Sequence, residues 1–461
     1  MTARALTPVA RVDFLSVQPR RADGATLCCL FAVVLLVIPS RMVLRGVPLA
    51  LTPASVVAML VGTVWFCAQF TTTLGAAKGP TMVRTGLFGY GAAIIITYGY
   101  STFGYLPADE LALGDHAFVL MIAILGLALG ACDGIGSADR VDLVVKAVVV
   151  CGAISGTVGI CQFLLKFDPT AFKLPMLRYE STETLGTIER GGLLRVGGTM
   201  GHPIEFGVVS SMILPFAAHL AFQAKERRQP ALRWWVCTGL IAVGMMFSAS
   251  RSAMVGLGAV TLVLFIGWPG KRKAYALLVG LIFLAAMKIA VPGLIGNIVN
   301  LFANAGKDDS VKYRTHDYPV ATAEIGRHLW FGRGYGTWYA PKHMVFDNQY
   351  LLTTVEGGVL GIAAFVVIFL IGIIAAVRFR YLSTDPGRRD LGLTIAAALV
   401  VPLLGSATFD LASFKTAEGL SFLLIGLAGA MLRITKAERP GPTMIPRRRP
   451  LRSARPPAAA T

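Results

Sequence analysis

Residues 350–377 read YLLTTVEGGVLGIAAFVVIFLIGIIAAV and contain one charged side chain, Glu356. A helix needs about 20 predominantly apolar residues to cross a bilayer, and this run exceeds that length. Further apolar runs occupy residues 27–38, 47–70, 85–103, 116–131, 141–165, 203–223, 234–247, 252–268, 274–291, 391–409 and 416–432. The chain is therefore expected to be all-α and polytopic, with about 12 transmembrane helices. Strands of a membrane barrel would be shorter and would alternate polar with apolar residues, which these runs do not.

Composition agrees with that reading. Of 461 residues, 55% are hydrophobic and only 15% charged, and the mean hydropathy is +0.66. The net charge of +18 does not point to nucleic acid, because Lys and Arg stand beside apolar runs and in the tails. That distribution is an orientation and lipid-headgroup signal. The seven cysteines lie in or beside apolar runs at irregular spacing, with no zinc or disulfide pattern, and are expected to pack as small apolar side chains. The run at 27–38 is followed by Pro39-Ser40-Arg41 rather than a small-residue cleavage pattern, so it is expected to remain as a span.

With the N-terminus cytoplasmic, alternate connections carry the basic residues: Lys78 and Arg84, Arg140, Lys225 to Arg233, Lys271-Arg272-Lys273, and Arg378 to Arg389. The domain expectation is a disordered cytoplasmic tail at 1–25, one transmembrane domain at 26–432, and a basic disordered tail at 433–461. Two long extracytoplasmic loops, 166–201 and 292–348, carry nearly balanced charge. Gly126-Leu-Ala-Leu-Gly130 and Gly152-Ala-Ile-Ser-Gly156 fit close helix packing.

Four of the six histidines, His202, His316, His328 and His343, fall on or beside those loops. The first loop ends in Arg195-Val-Gly-Gly-Thr199-Met-Gly-His202-Pro203-Ile-Glu205, where Pro203 suits the first turn of a helix. Ser248-Ala-Ser250-Arg251-Ser252 sits between two spans with almost no spacer, and an Arg at a membrane boundary calls for an anion or carbonyl partner. In the second loop, Arg314 offers a planar fork suited to phosphate oxygens. Gly332-x-Gly334-x-Gly336 has no preceding strand and is expected to be a flexible turn rather than a dinucleotide fingerprint. Asp347-Asn348 marks re-entry into the membrane, and Glu356 lies inside the span that follows. An acid there is a functional candidate.

The order Arg-x-x-Gly-Thr-x-x-His-Pro, Ser-x-Ser-Arg, Phe-Gly-x-Gly and then Asn-x-Tyr-Leu resembles the O-antigen ligase and Wzy-type polymerase superfamily. The ligase signature is His, then Asn, Ser or Gln, then nine residues, then Gly-x-x-Gly. Asp347 and Asn348 take its first two places, and Gly358-Val-Leu-Gly361 follows at the matching distance. Asp in place of His is similar to polymerase-like members. The resemblance implies an inverting transfer of a glycan from undecaprenyl diphosphate to a glycan or lipid acceptor at the outer face of the bacterial inner membrane, without cofactor or metal. A departing diphosphate calls for arginine forks from separate loops, for which Arg195 and Arg314, then Arg251, are the candidates, and Asp347 or His343 is chemically competent as the general base. His202, Thr199, Asn348, Tyr350 and Glu356 are the remaining substrate-binding candidates. A transporter or lipid-linked glycan flippase is the competing expectation. It calls for ionisable groups near the bilayer midplane and broken helices, and only Lys288 and Glu356 are read as mid-span charges. A membrane scaffold that binds a partner through its loops is the third.

Overall fold

The computed structural model describes residues 23–438 except 48–49, 72–75, 78, 105, 173, 181–186, 191–192, 304–308 and 340–341; side chains at 187–190, 193, 297–298, 300–302 and 309–316 are also outside the described set. Both tail expectations lie outside it, apart from residues 23–25 and 433–438.

The helices are α1 Gly24–Val37, α2 Pro53–Phe70, α3 Met82–Phe103, α4 Ala108–Gly134, α5 Ala138–Leu164, α6 Pro203–Glu226, α7 Leu232–Phe247, α8 Arg251–Gly267, α9 Gly270–Ala290, α10 Leu294–Ala303, α11 Asp309–Arg327, α12 Gln349–Leu382, α13 Pro386–Gly405 and α14 Lys415–Ala437. Seven of them (α2, α4, α5, α6, α9, α12 and α14) are long and apolar enough to cross a membrane, and α1, α7 and α8 are apolar but shorter. The protein is an all-α polytopic membrane protein by this measure. The only strands among the described residues form two small two-stranded sheets: β1 Met42–Leu44 with β2 Leu177–Tyr179, and β3 Thr187–Arg190 with β4 Leu193–Val196, both antiparallel.

Caps start the helices where the sequence turns apolar. Thr52 and Thr81 accept backbone N–H bonds from Ser55 and Arg84, and Pro53 and Pro203 occupy first-turn positions that need no donor. At the centre lies α14, with 89% of its most apolar window buried; α9 has 6% and faces outward. Small residues allow close crossings there and elsewhere. A Cβ on Gly126 would meet the Gly62 Cα at 2.6 Å, and one on Gly156 the Leu240 carbonyl oxygen at 2.6 Å, as the two small-residue pairs predict.

Polar contacts sort the helix ends into two groups. At one end Arg140 pairs with Asp23, Arg84 with Asp133, Arg272 with Asp390, and Arg388 with Glu438. Arg433 donates to the carbonyl of Ile135 at this end too. At the opposite end β1 pairs with β2, Thr199 donates to Leu36 O, Lys415 pairs with Glu180, and Arg333 pairs with Glu110. The basic connections thus share one end and both long loops the other.

Two loop expectations need correction. Segment 292–348 is not an extended polar loop, because it holds α10 and α11. A small second core of Ala321, Phe346, Leu352 and Val355 fastens α11 to the start of α12. Nor is Gly332-x-Gly334-x-Gly336 a flexible turn. Helix α12 is broken at Gly358 (φ 60°, ψ −157°), and residues 329–334 fill the break. Arg333 N and Gly334 N donate to Val355 O and Glu356 O, while Val359 N and Leu360 N donate to Leu329 O and Trp330 O, all within 3.1 Å. Unpaired backbone groups in hydrocarbon each cost several kcal/mol, so the break persists only because the loop satisfies it.

Candidate active site

Four segments meet at the loop end of the bundle. The first is the Arg195–His202 turn. Arg195 sits in β4 opposite Ile188, is 6% exposed, and its Nε donates to Ser248 O at 3.1 Å. That bond joins it to the second segment, the Ser248–Ser252 turn between α7 and α8. Ala249 there adopts a left-handed φ of 44°, a strained state for a residue with a Cβ. The backbone bend points the Ser248 carbonyl toward Arg195 and leaves Arg251 as the first residue of α8.

The third segment, 406–414, lies between α13 and α14. Thr408 Oγ1 donates to Ser252 Oγ at 3.0 Å, and the Phe414 ring stacks on His202 at 5.9 Å. The fourth is the entry to α12. Gln349 N donates to Ser406 O at 2.8 Å, and its Oε1 accepts from Ala412 N at 2.7 Å. Asp347 is exposed beside this joint. Its charge acts on Asp410, whose carboxyl is pushed above the ordinary range by burial and by Asp347, against hydrogen bonds from Ser413 and Ala412.

His202 caps α6, with Nδ1 accepting from Ile204 N at 3.1 Å. Burial, then the nearby Arg195 charge, push its pKa down to about 4. With Nδ1 committed as an acceptor, the neutral ring carries its proton on Nε2. Three residues on, Glu205 accepts from Gly201 N at 3.2 Å and from Thr416 N at 2.8 Å, so one carboxylate binds the turn to α14.

The remaining candidates separate by task. Thr199 is buried, and its hydroxyl bonds Leu36 O and Ser155 Oγ, both at 2.7 Å, which is a packing duty. Asn348 caps α12, its Oδ1 accepting from Tyr350 N at 2.9 Å. Tyr350 donates its hydroxyl to Leu403 O. Glu356 is buried at the α12 break and accepts from Trp338 N at 3.1 Å. His343 is held at the start of α4, its Nε2 3.0 Å from Glu110 Oε1 and its ring stacked on Trp338 at 4.3 Å. Arg314 lies on α11, and its side chain is outside the described residues.

Sequence reading missed several participants. Glu110 is 1% exposed and gathers Arg333, Lys342 and His343. Asp410 and Glu418 face a cavity of about 190 Å³ that Glu356 also lines. Arg41 stands against Gly201, where an added Cβ would meet its Cγ at 3.3 Å. Acids within spans were the available signal; Glu418 lay inside a predicted span and was passed over. Among the described residues, no group of three or more His, Cys, Asp or Glu is arranged to hold a metal ion.

Fold and site together define a polytopic helical membrane protein that gathers arginine, histidine and carboxylate groups from distant segments at one end of its bundle. Residues 236–366, from α7 through the α12 break, match the family model described as O-antigen ligase, so this part of the chain is similar to the O-antigen ligase and polymerase superfamily. No curated protein matches the chain. The family acts as glycan ligases or polymerases on lipid-linked glycans in the membrane. The matched region includes the Ser248–Ser252 turn, the 329–334 loop and Asp347-Asn348; Arg195 and His202 precede it.

Proposed function

We propose that the protein transfers a glycan from an undecaprenyl-diphosphate donor to an acceptor hydroxyl at the outer face of the inner membrane, across a twelve-span fold with both termini cytoplasmic. The observation that carries this reading is the Arg195–Ser248 bond. It sets one buried arginine beside the turn that presents Arg251, within the region where His202 is held neutral. Guanidinium groups from separate segments suit a departing diphosphate, whose charge grows as the sugar–phosphate bond breaks. Arg314 on α11 is the third member of this clamp.

Asp347 is the better general base of the two candidates. It is exposed at the joint, whereas His343 is tied to Glu110 and Trp338. In the proposed step the acceptor hydroxyl loses its proton to Asp347, its oxygen bonds the anomeric carbon, and the diphosphate leaves with the bonding pair. Attack opposite the leaving group inverts that centre.

The broken α12, the buried Glu356 and the half-buried Glu418 favour the flippase reading more than the sequence did. Yet the break is packed with residues 329–334 rather than open to a substrate. Labelled lipid-linked oligosaccharide in proteoliposomes separates the readings by new glycosidic product or by translocation alone. Arg251→Ala, Arg314→Ala and Asp347→Asn should each lower transfer by about 100-fold or more while membrane insertion persists. Full transfer by Arg251→Ala and Arg314→Ala together would remove the clamp from the mechanism.

A further inference from the structure

A second cavity, of about 640 Å³, opens at the basic end of the bundle, far along the chain axis from the segments above. The end of α6, the α8–α9 turn, the end of α12 and the start of α13 enclose it. Five basic side chains and two acidic ones line it. The acids are already engaged: Asp390 takes Arg272 Nη1 at 2.5 Å, Trp268 Nε1 at 3.1 Å and His219 Nδ1 at 2.5 Å, and Glu226 lies 3.6 Å from Arg272 Nη2. Among the described residues no carboxylate pairs with Lys225, Lys271 or Arg389. The cavity is left with uncompensated positive charge.

Its walls are aromatic. Phe222, Trp268 and Tyr275 line it; Phe222 meets Trp268, Tyr275 and, behind the lining, Trp235 edge to face, and Trp235 meets Tyr275, at centroid distances of 5.3–5.9 Å, while Lys225 lies 5.5 Å from the Tyr275 centroid. Tyr and Trp in this setting mark the headgroup level of a membrane. On α9, Lys271, Tyr275, Leu278 and Ile282 follow at steps of four, three and four, so they form one stripe. Leu278 and Ile282 are 56% and 60% exposed. A charged mouth thus continues directly into an apolar flank.

We propose that this cavity binds the phosphate headgroup of an anionic phospholipid from the leaflet at this end, with its acyl chains along the Tyr275–Ile282 stripe. Basic pockets between membrane helices suit such headgroups. The apolar continuation distinguishes a lipid from a soluble phosphate, which would gain nothing from it. The inference does not depend on glycan transfer.

Native mass spectrometry of the delipidated full chain, given phosphatidylglycerol or phosphatidylcholine, tests it. The wild type should retain phosphatidylglycerol preferentially, and the double variant Lys271→Gln with Arg389→Gln should cut that preference by about 30-fold. Arg378→Gln with Lys436→Gln removes the same charge at the same end but outside the cavity, and should leave it unchanged. Equal loss in both doubles, no preference in the wild type, a second copy of the chain covering the stripe in the lipid's place, or displacement of the lipid by millimolar inorganic phosphate would each overturn the assignment.

Discussion

His202 illustrates how one residue can serve structure and chemistry together. Its Nδ1 caps α6, and its neutral form is the one that burial and Arg195 favour. Because the folded pKa of about 4 lies below the unfolded value of roughly 6.5, the unfolded chain binds more protons between those limits. Stability is therefore whole above about pH 6.5 and declines as pH falls toward 4. His202→Asn keeps a capping acceptor without the titration. Its thermal midpoint should fall less on acidification from pH 6.5 to 4.5 than that of the wild type, and an identical fall would show that His202 is not the source. Thr199, Asn348 and Tyr350 show the converse: their polar atoms are committed to Leu36, the α12 N-terminus and Leu403, so what they do in the fold is hold the backbone in place.

Glycine spacing acquires a mechanical meaning at the scale of the helix. A Cβ on Gly332 would lie 2.3 Å from the Glu356 carbonyl group, and one on Gly358 would lie 2.5 Å from the Trp330 carbonyl carbon. Both positions also have positive φ. The Phe-Gly-x-Gly and Gly-x-x-Gly motifs are thus two halves of one joint, a loop laid into a broken helix. Gly332→Ala and Gly358→Ala should each destabilise the protein by more than about 3 kcal/mol, seen as a lower midpoint in detergent. Gly326, inside α11 with nothing within 4 Å of an added Cβ, is the control, and alanine there should gain about 0.5–1 kcal/mol. Equal tolerance at all three positions would contradict the joint.

For the whole molecule, the division of polar contacts between two ends makes orientation testable. In a chain whose native cysteines are replaced, Val345→Cys and Tyr381→Cys place thiols at the opposite ends of the α12 region, at residues 56% and 73% exposed. A membrane-impermeant maleimide should label position 345 in intact spheroplasts and position 381 only after permeabilisation. Reversed labelling would invert the proposed topology and move the candidate site to the cytoplasm.

The helical membrane character, the approximate spans, the basic end and the family resemblance were all legible in sequence, because apolar length and Lys/Arg placement are local properties that the bilayer itself enforces. The resemblance also pointed to Arg195, Arg251 and the Asp347–Gly361 spacing. What sequence could not reveal was which groups share a partner. Glu110 gathers Arg333, Lys342 and His343 across more than 200 residues, and Gln349 and Thr408 make the 406–414 segment the hub of the site. Those pairings arise from helix packing that brings distant ends together. Tertiary structure alone decided that His343 braces α4, that Asp347 stays open, and that the glycine motifs close a break in a helix, since each depends on a partner remote in the chain.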